Sequence, residues 1–222
     1  MKGQVFIFFC ALVLLSTYSA GYAQVQVKVG YNIGSPSFGV NSMILSEYQL
    51  PGAEIVEPFG PLGFMHGLQM ALRYRLQSSS IEIGWERINR SLSALAYLAT
   101  DDRFLDRTYD YGLTSYHLGV DHYFGMFGFG SRLYWTTIGI DREVGDNDLE
   151  LVSDSHFQLD LHLNWVVQRS DYVSLVVQPY YRFSLSDLEL SSLATDVGGS
   201  SPTSVGGMSL FGLTLAFYNG RQ

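Results

Sequence analysis

A chain of 222 residues that is 47% hydrophobic and 14% aromatic but only 15% charged is too apolar to be disordered, since soluble domains carry about 25% charged residues. Beyond the N-terminus no apolar run reaches the roughly 18 residues a membrane helix needs, which excludes a helical membrane protein. A net charge of −8 leaves no basic footprint for nucleic acid. The 23 glycines and the 29 tyrosines and phenylalanines must therefore serve an apolar surface of some other kind.

Residues 1–23 carry the marks of a secretory signal peptide: Lys2 in a short basic region, an apolar core over 5–15, and Ser19, Ala20, Gly21 and Ala23 at a small-residue cleavage site. Cleavage is expected after Ala23, leaving 24–222 as one domain. Cys10 is the only cysteine. It lies within the apolar core with Ile7 and Phe9 where a lipoprotein signal would need Leu and a small residue, so no lipid anchor and no disulfide are expected.

The mature chain then alternates with period two, the signature of strands with one apolar face. Val25, Val27, Val29, Tyr31 and Ile33 oppose Gln26, Lys28, Gly30 and Asn32. Over 64–76, Phe64, Leu68, Met70, Leu72, Tyr74 and Leu76 oppose Gly67, Gln69, Arg73 and Arg75, with His66 on the apolar side. Ile81, Ile83 and Trp85 oppose Glu82, Gly84 and Glu86. Tyr116, Leu118 and Val120 oppose His117, Gly119 and Asp121. Over 130–142 the facing is open, because Leu133 with Trp135 and Tyr134 with Ile138 and Ile140 form two competing apolar faces. The pattern is clearest where Phe157, Leu159, Leu161, Leu163, Trp165 and Val167 oppose His156, Gln158, Asp160, His162 and Asn164. Val173, Leu175, Val177, Tyr181 and Phe183 follow, with Pro179 predicting a bulge or break, and Phe211, Leu213, Leu215 and Phe217 close the series. Short connections near 77–80, 125–130 and 168–171 fall at one end. Long loops at 34–63, 88–112, 142–155 and 185–206 fall at the other, although 43–50 or 92–98 could pair as loop hairpins and raise the strand number to ten.

Alternation alone does not say which face meets the core, so a secreted soluble barrel with an apolar cavity also fits. Three features favour a membrane barrel: the low charge, the absence of Lys, Asp and Glu from the apolar face of the clear strands, and aromatics gathered at both strand ends. Tyr31, Phe64, Tyr116 and Tyr181 would form one interfacial girdle and Tyr74, Trp165 and Phe217 the other, with Tyr123 and Tyr218 near the second. The polar face becomes a barrel interior holding Lys28, Arg73, Arg75, Glu82, Glu86, His117, Asp121, Asp160, His162 and Arg182. This balance suits a salt-bridged plug. The predicted fold is all-β, an eight-stranded antiparallel up-and-down transmembrane β-barrel.

This pattern over the mature chain resembles the small outer-membrane β-barrel superfamily, the OmpA/OmpX-type barrels and porin-like relatives of Gram-negative bacteria. The resemblance implies residence in the cell outer membrane, contact with outer-membrane lipid or lipopolysaccharide, and delivery by the barrel-assembly machinery. Gly212, Leu215 and Phe217 resemble the C-terminal assembly signal of that superfamily, with Leu210 where a polar residue is usual. A monomer is expected. Some such barrels are lipid A enzymes, but none of His66, His117, His122, His156 and His162 has the Ser two residues on that resembles the deacylase pair. Ser155 and His156 are adjacent, so in a strand they diverge. His156, Asp160 and His162 share a face yet are spread too far along a strand to bind one metal unaided, and the acidic stretch with Asp146, Asn147, Asp148 and Glu150 lacks the glycine of an EF-hand. The second long loop is acidic too, with Asp101, Asp102, Asp106 and Asp110. No catalytic residue, metal or cofactor is expected. The leading function is a structural anchor whose external loops recognise a surface ligand; a lipid A-modifying enzyme, a narrow channel and a secreted ligand-binding barrel are the alternatives.

Overall fold

A computed structural model describes residues 24–219 apart from short stretches at 47, 50–51, 77, 101, 145–146, 171 and 199–204; residues 1–23, expected to be a signal peptide, and Asp101 and Asp146 lie outside the described residues. The elements in chain order are β1 (Gln24–Ser37), α1 (Gly39–Ser46), β2 (Ala53–Glu57), β3 (Met65–Arg75), β4 (Ser79–Leu98), β5 (Arg103–Phe124), β6 (Phe127–Val144), β7 (Asn147–Arg169), β8 (Val173–Ser184), β9 (Leu188–Glu189), α2 (Ser191–Val197), β10 (Val205–Gly206) and β11 (Ser209–Asn219).

Eight strands pair antiparallel with their chain neighbours, and β1 closes on β11 through a register running from Lys28 opposite Tyr218 to Ser37 opposite Ser209. The β4–β5 pairing completes the ring. Closure removes every edge within the ring, the condition under which strands can cross a bilayer with their backbone groups satisfied. The extra strand β2 is appended to the top of β4 and is not part of the ring. Among the described residues, no helix is long and apolar enough to cross a membrane.

The short connections lie at one end. β5 and β6 are joined by a two-residue turn, Gly125 and Met126, with Gly125 at φ +67°, the positive-φ first position of a type II′ hairpin. At the other end two of the four expected long loops are strand instead. β4 pairs with β5 continuously to Leu98 opposite Arg103, and β6 pairs with β7 to Val144 opposite Asn147. The stretches 88–112 and 142–155 are therefore extended hairpins. Only the connections carrying α1 and β2, and β9, α2 and β10, remain long; residues Met43–Ser46 are helical rather than strand. Opposite Pro179 the β7–β8 ladder lapses between the pairs His162 with Tyr180 and Trp165 with Val177, and its register shifts between Val166 and Gln168.

The facing of side chains changes along the barrel. In the lower part the apolar residues point outward and the polar ones inward: Ile83, Leu118, Leu133, Leu161, Leu163 and Leu215 are exposed while Lys28, Arg73, Glu82 and Asp160 are buried. Taking about 3.3 Å per residue and a tilt near 40°, the apolar stretch 157–167 covers about 25 Å, the height of a barrel's lipid-facing band. Above it the preference inverts. Ile88, Leu92 and Ala94 of β4, Tyr109, Tyr111 and Leu113 of β5, Ile138 and Ile140 of β6 and Val152 of β7 point inward and join Ile44, Leu45, Leu193 and Val197 of the helices in one buried cluster. Residues 130–142 were ambiguous because β6 crosses this boundary: Leu133 and Trp135 face out below it, and Tyr134, Ile138 and Ile140 face in.

Two substitutions separate the halves. Leu161→Arg, midway along the lipid-facing stretch of β7, is expected to lower barrel stability by about 2–4 kcal/mol, read from urea unfolding in vesicles. Ile138→Asp places an unpaired carboxylate in the upper core. It should expose 88–112 to protease while leaving the heat-modifiable gel mobility of the folded barrel intact.

Candidate functional site

The polar interior is one connected set of side chains to which every strand of the ring contributes, and Glu82 on β4 is its centre. One carboxylate oxygen meets Lys28 Nζ at 3.2 Å, Arg132 Nε at 3.1 Å and His117 Nε2 at 3.2 Å; the other meets Arg73 Nη2 at 3.3 Å and accepts from the Tyr218 hydroxyl at 3.4 Å. Asp121 accepts from Arg73 at 2.6 Å, Ser80 at 3.2 Å and Asn164 at 2.9 Å, and its carboxylate lies 2.6 Å from His162 Nε2. His162 Nδ1 is 2.7 Å from Asp160, so the imidazole bridges two carboxylates. Glu86 takes both terminal nitrogens of Arg182 at 2.9 and 3.1 Å and accepts from Asn32 at 2.5 Å. This bidentate geometry is the strong form of a guanidinium–carboxylate pair.

Tyrosine rings cover the cations. Arg182 lies 3.7 Å from the Tyr134 ring centroid and Arg73 lies 4.0 Å from that of Tyr218, distances at which the ring face attracts a cation. Lys28, Arg73, Arg132 and Arg182 balance Glu82, Glu86, Asp121 and Asp160, all at 3% exposure or less. Small residues open the space. A side chain added at Gly130 would come within 2.2 Å of an Asp121 oxygen and 2.5 Å of His162 Nε2, and one at Gly119 within 2.5 Å of Arg132 Cγ. Part of the glycine surplus thus clears room for the charged groups.

Of the residues expected inside, Lys28, Arg73, Glu82, Glu86, His117, Asp121, Asp160, His162 and Arg182 are brought together. Arg75 is only half-buried, with its guanidinium 5.8 Å from the Tyr123 ring at the short-turn end. Arg132 was absent from the expected interior because it lies on the strand whose facing the sequence leaves open. Tyr31, Phe64, Tyr116, Trp165, Tyr181 and Phe217 point outward and are exposed, and Tyr74 is partly so. Tyr123 and Tyr218 do not join the lower girdle. They face inward over Arg73, where the ring faces attract the buried cation.

The candidate chemistry is dispersed. Ser155 points out and shares a hydrogen bond with Thr137 at 2.8 Å, whereas His156 is buried on the inner face. The two diverge and form no nucleophile–base pair. Among the described residues no group of three or more His, Cys, Asp and Glu side chains is arranged to hold a metal.

A closed ring with an apolar outside and a neutral, hydrogen-bonded polar inside is the reverse of a soluble barrel, which overturns the secreted ligand-binding alternative. The architecture is that of an outer-membrane β-barrel. It suits the chain to that membrane, with the short turns on one side and the extended hairpins on the other. Solved structures similar in fold include the outer membrane protein OprG of Pseudomonas aeruginosa (10% identity, TM-score 0.43, covering 89% of this chain and 95% of that one). Neisserial surface protein A is also similar (10% identity, TM-score 0.45, 89% and 98%), as is the attachment invasion locus protein of Yersinia pestis (11% identity, TM-score 0.48, 88% and 98%). No family's sequence profile matches the chain, and no characterised protein matches it in sequence.

At the end of the barrel that carries the long connections, Asp196 of α2 fastens the 185–206 connection to the hairpins. Tyr109 donates to its carboxylate at 2.8 Å, Arg107 reaches its backbone oxygen at 3.2 Å, and Arg142 pairs with the carboxylate. Burial and the Asp196 carboxylate together raise the Tyr109 hydroxyl above the usual tyrosine range, keeping it a donor at all ordinary pH. Tyr111 donates to Asn41 of α1 at 2.9 Å.

Replacing Glu82 with Gln leaves Lys28, Arg73 and Arg132 without their shared counter-charge. We expect a loss of about 3–5 kcal/mol, seen as a lowered urea midpoint for the refolded barrel. Gly130→Val should force Asp121 and His162 apart and lower the midpoint as well, whereas Gly139→Val, at a glycine with open space beside it, should not.

Proposed function

We propose that this chain is a non-enzymatic outer-membrane anchor: a closed barrel that carries a folded external head, with recognition assigned to the head's surface. The observation that carries this reading is the closed, charge-paired interior. Glu86, Arg73 and Lys28 are at 0% exposure, and Glu82 and Arg182 at 1%, so paired side chains close the barrel's cross-section at this level, which argues against a channel. The dispersal of Ser155 and His156 argues against the lipid-modifying alternative. The head supports the anchoring role, because two helices and two extended hairpins are organised around a core of their own instead of hanging as free loops.

The partners in this reading are outer-membrane lipid, including lipopolysaccharide, and the barrel-assembly machinery, with Gly212, Leu215 and Phe217 as the segment presented to the latter. Leu215 and Phe217 face outward, as a segment presented to another protein requires, while Gly212 leaves room for the Tyr180 hydroxyl. The chain acts as a monomer.

The test is made in cells whose lipid A profile is known. Phe104→Cys at the hairpin tip should react with a membrane-impermeant maleimide on intact cells, the lipid A profile should be unchanged by expression, and the purified barrel should give no single-channel steps in planar bilayers. Labelling only after lysis would refute the external head. A modified lipid A or steady conductance would refute the anchor.

A further inference from the structure

One buried base stands apart from the charge network. His156 on β7 points inward just above the lipid-facing stretch 157–167 and is 1% exposed, yet neither ring nitrogen has a hydrogen-bond partner among the described residues. His117 and His162, by contrast, each meet a carboxylate. The inward residues around His156 offer it no anion. On β6 it faces Thr136, with Tyr134 and Ile138 to either side. On β8 the residues nearest in register are Ser184 and Arg182, and Asp187 and Glu189 of the connection above are exposed. The charged groups that act on the imidazole are Asp154, two residues up its own strand, and Arg182 below. Burial, the largest influence, lowers the His156 imidazole from the usual histidine range to about 4, because a charged ring there would lose its water and gain no partner.

The surroundings of His156 are held unequally. Below it Arg182 is committed to Glu86 by two hydrogen bonds and repels a second cation. Above it the 185–206 connection grips β7 on both sides of the histidine through single hydrogen bonds. The Leu185 amide donates to the Phe157 carbonyl at 2.8 Å, the Phe157 amide to Ser186 Oγ at 3.3 Å, and the Glu189 amide to the Asp154 carboxylate at 3.1 Å. β9 and α2 follow, and they turn Leu188, Leu190, Leu193 and Val197 into the upper core. A proton on His156 therefore meets a cation and a closed ring below, and a carboxylate and a lightly fastened strap above.

We infer that His156 is a pH-sensitive release for the 185–206 connection: once charged, it cannot stay enclosed, and the segment from Leu188 to Val197 lifts off the head while the ring stays closed. With the strap closed the imidazole is neutral. With the strap open it reaches water and titrates near the ordinary histidine value of about 6.5. The open form thus binds the extra proton. The closed form is favoured above about pH 6.5 and loses its advantage about tenfold per pH unit below it, down to about 4. Opening uncovers the apolar underside of β9 and α2, so acidity sets which surface the head presents. This regulation goes beyond the anchoring role and does not depend on what the head recognises.

The experiment follows amide hydrogen exchange by mass spectrometry on the full-length mature barrel in detergent, at pH 7.5 and 5.0, an interval above the ordinary carboxylate range of about 4. Each rate is divided by the chemical rate at that pH. Exchange over 188–197 should rise about 30-fold from the higher pH to the lower, while 157–167 stays protected. His156→Gln, neutral at both, should cut the rise below about threefold. Asp154→Ala, which removes the acceptor of the Glu189 amide, should raise exchange already at pH 7.5. Heat-modifiable gel mobility establishes that each variant carries a closed barrel. Flat exchange in the unmodified chain would overturn the proposal, as would an undiminished rise in His156→Gln, which would assign the effect to another titrating group, or unchanged exchange at pH 7.5 in Asp154→Ala.

Discussion

Every strand of this barrel is governed by one constraint: the ring must be closed, and a ring of eight leaves an interior only wide enough for side chains. Inside a bilayer that narrow interior has no bulk water to solvate charge, so each charge must find its opposite within the ring. Glu82 meets this demand for three cations at once, and Asp121, Asp160 and Glu86 complete a neutral set. Such a network is weak as a source of net stability, because desolvation offsets much of the attraction. Its consequence is conformational: the partners of Glu82 come from β1, β3, β5, β6 and β11, so only one register of the ring satisfies them all.

The same constraint explains why the alternation inverts. A strand leaving the bilayer exchanges a lipid neighbour for water on its outer face, and its inner face no longer needs polar groups facing one another in a dry channel. The apolar positions therefore change sides: odd residues point outward at Ile81, Ile83 and Trp85, and even residues point inward at Ile88, Leu92 and Ala94. No register shift accompanies the change on β4, whose pairing with β5 runs unbroken from Ser79 to Leu98. One continuous hairpin thus serves as membrane wall below and as the side of a small water-facing domain above, with α1 and α2 lying across the open top.

What could be read from the sequence follows from this. Where a strand stays within the lipid band its alternation has one phase, and the facing of Lys28, Arg73, Glu82, Asp160 and Trp165 is legible residue by residue. Where a strand crosses the boundary two phases overlap, and β6 is the plainest case: Trp135 and Ile138 are both apolar and lie on opposite sides. That overlap hides Arg132, the cation that joins Glu82 to Asp160. Residues 88–112 resemble a loop in sequence because Ser91, Ser93, Asp106, Thr108 and Asp110 line the outer face, a composition that describes a turn as well as it describes the wet side of a strand. The inward series Leu92, Ala94, Ala96 and Tyr109, Tyr111, Leu113 was the available signal, displaced by one residue from the phase established below. Tyr123 and Tyr218 show a different limit: aromatic residues near a strand end suit both an interface and a buried cation, and only the position of Arg73 decides between them.

The interior and the exterior wall are also coupled through the small residues. Glycine on an inner face yields space to whatever lies opposite: Gly130 to Asp121 and His162, Gly119 to Arg132, Gly84 to His117, whose Cε1 lies 2.5 Å from where a Gly84 side chain would begin. Outside the same β3–β4 pairing the wall carries an open apolar depression beside Trp85. His117 is itself held by Glu82, so the glycine at 84 makes room for a member of the charge network. A barrel of this size has no layer of packing between its core and its solvent. The side chains that neutralise its interior are one backbone thickness from the membrane.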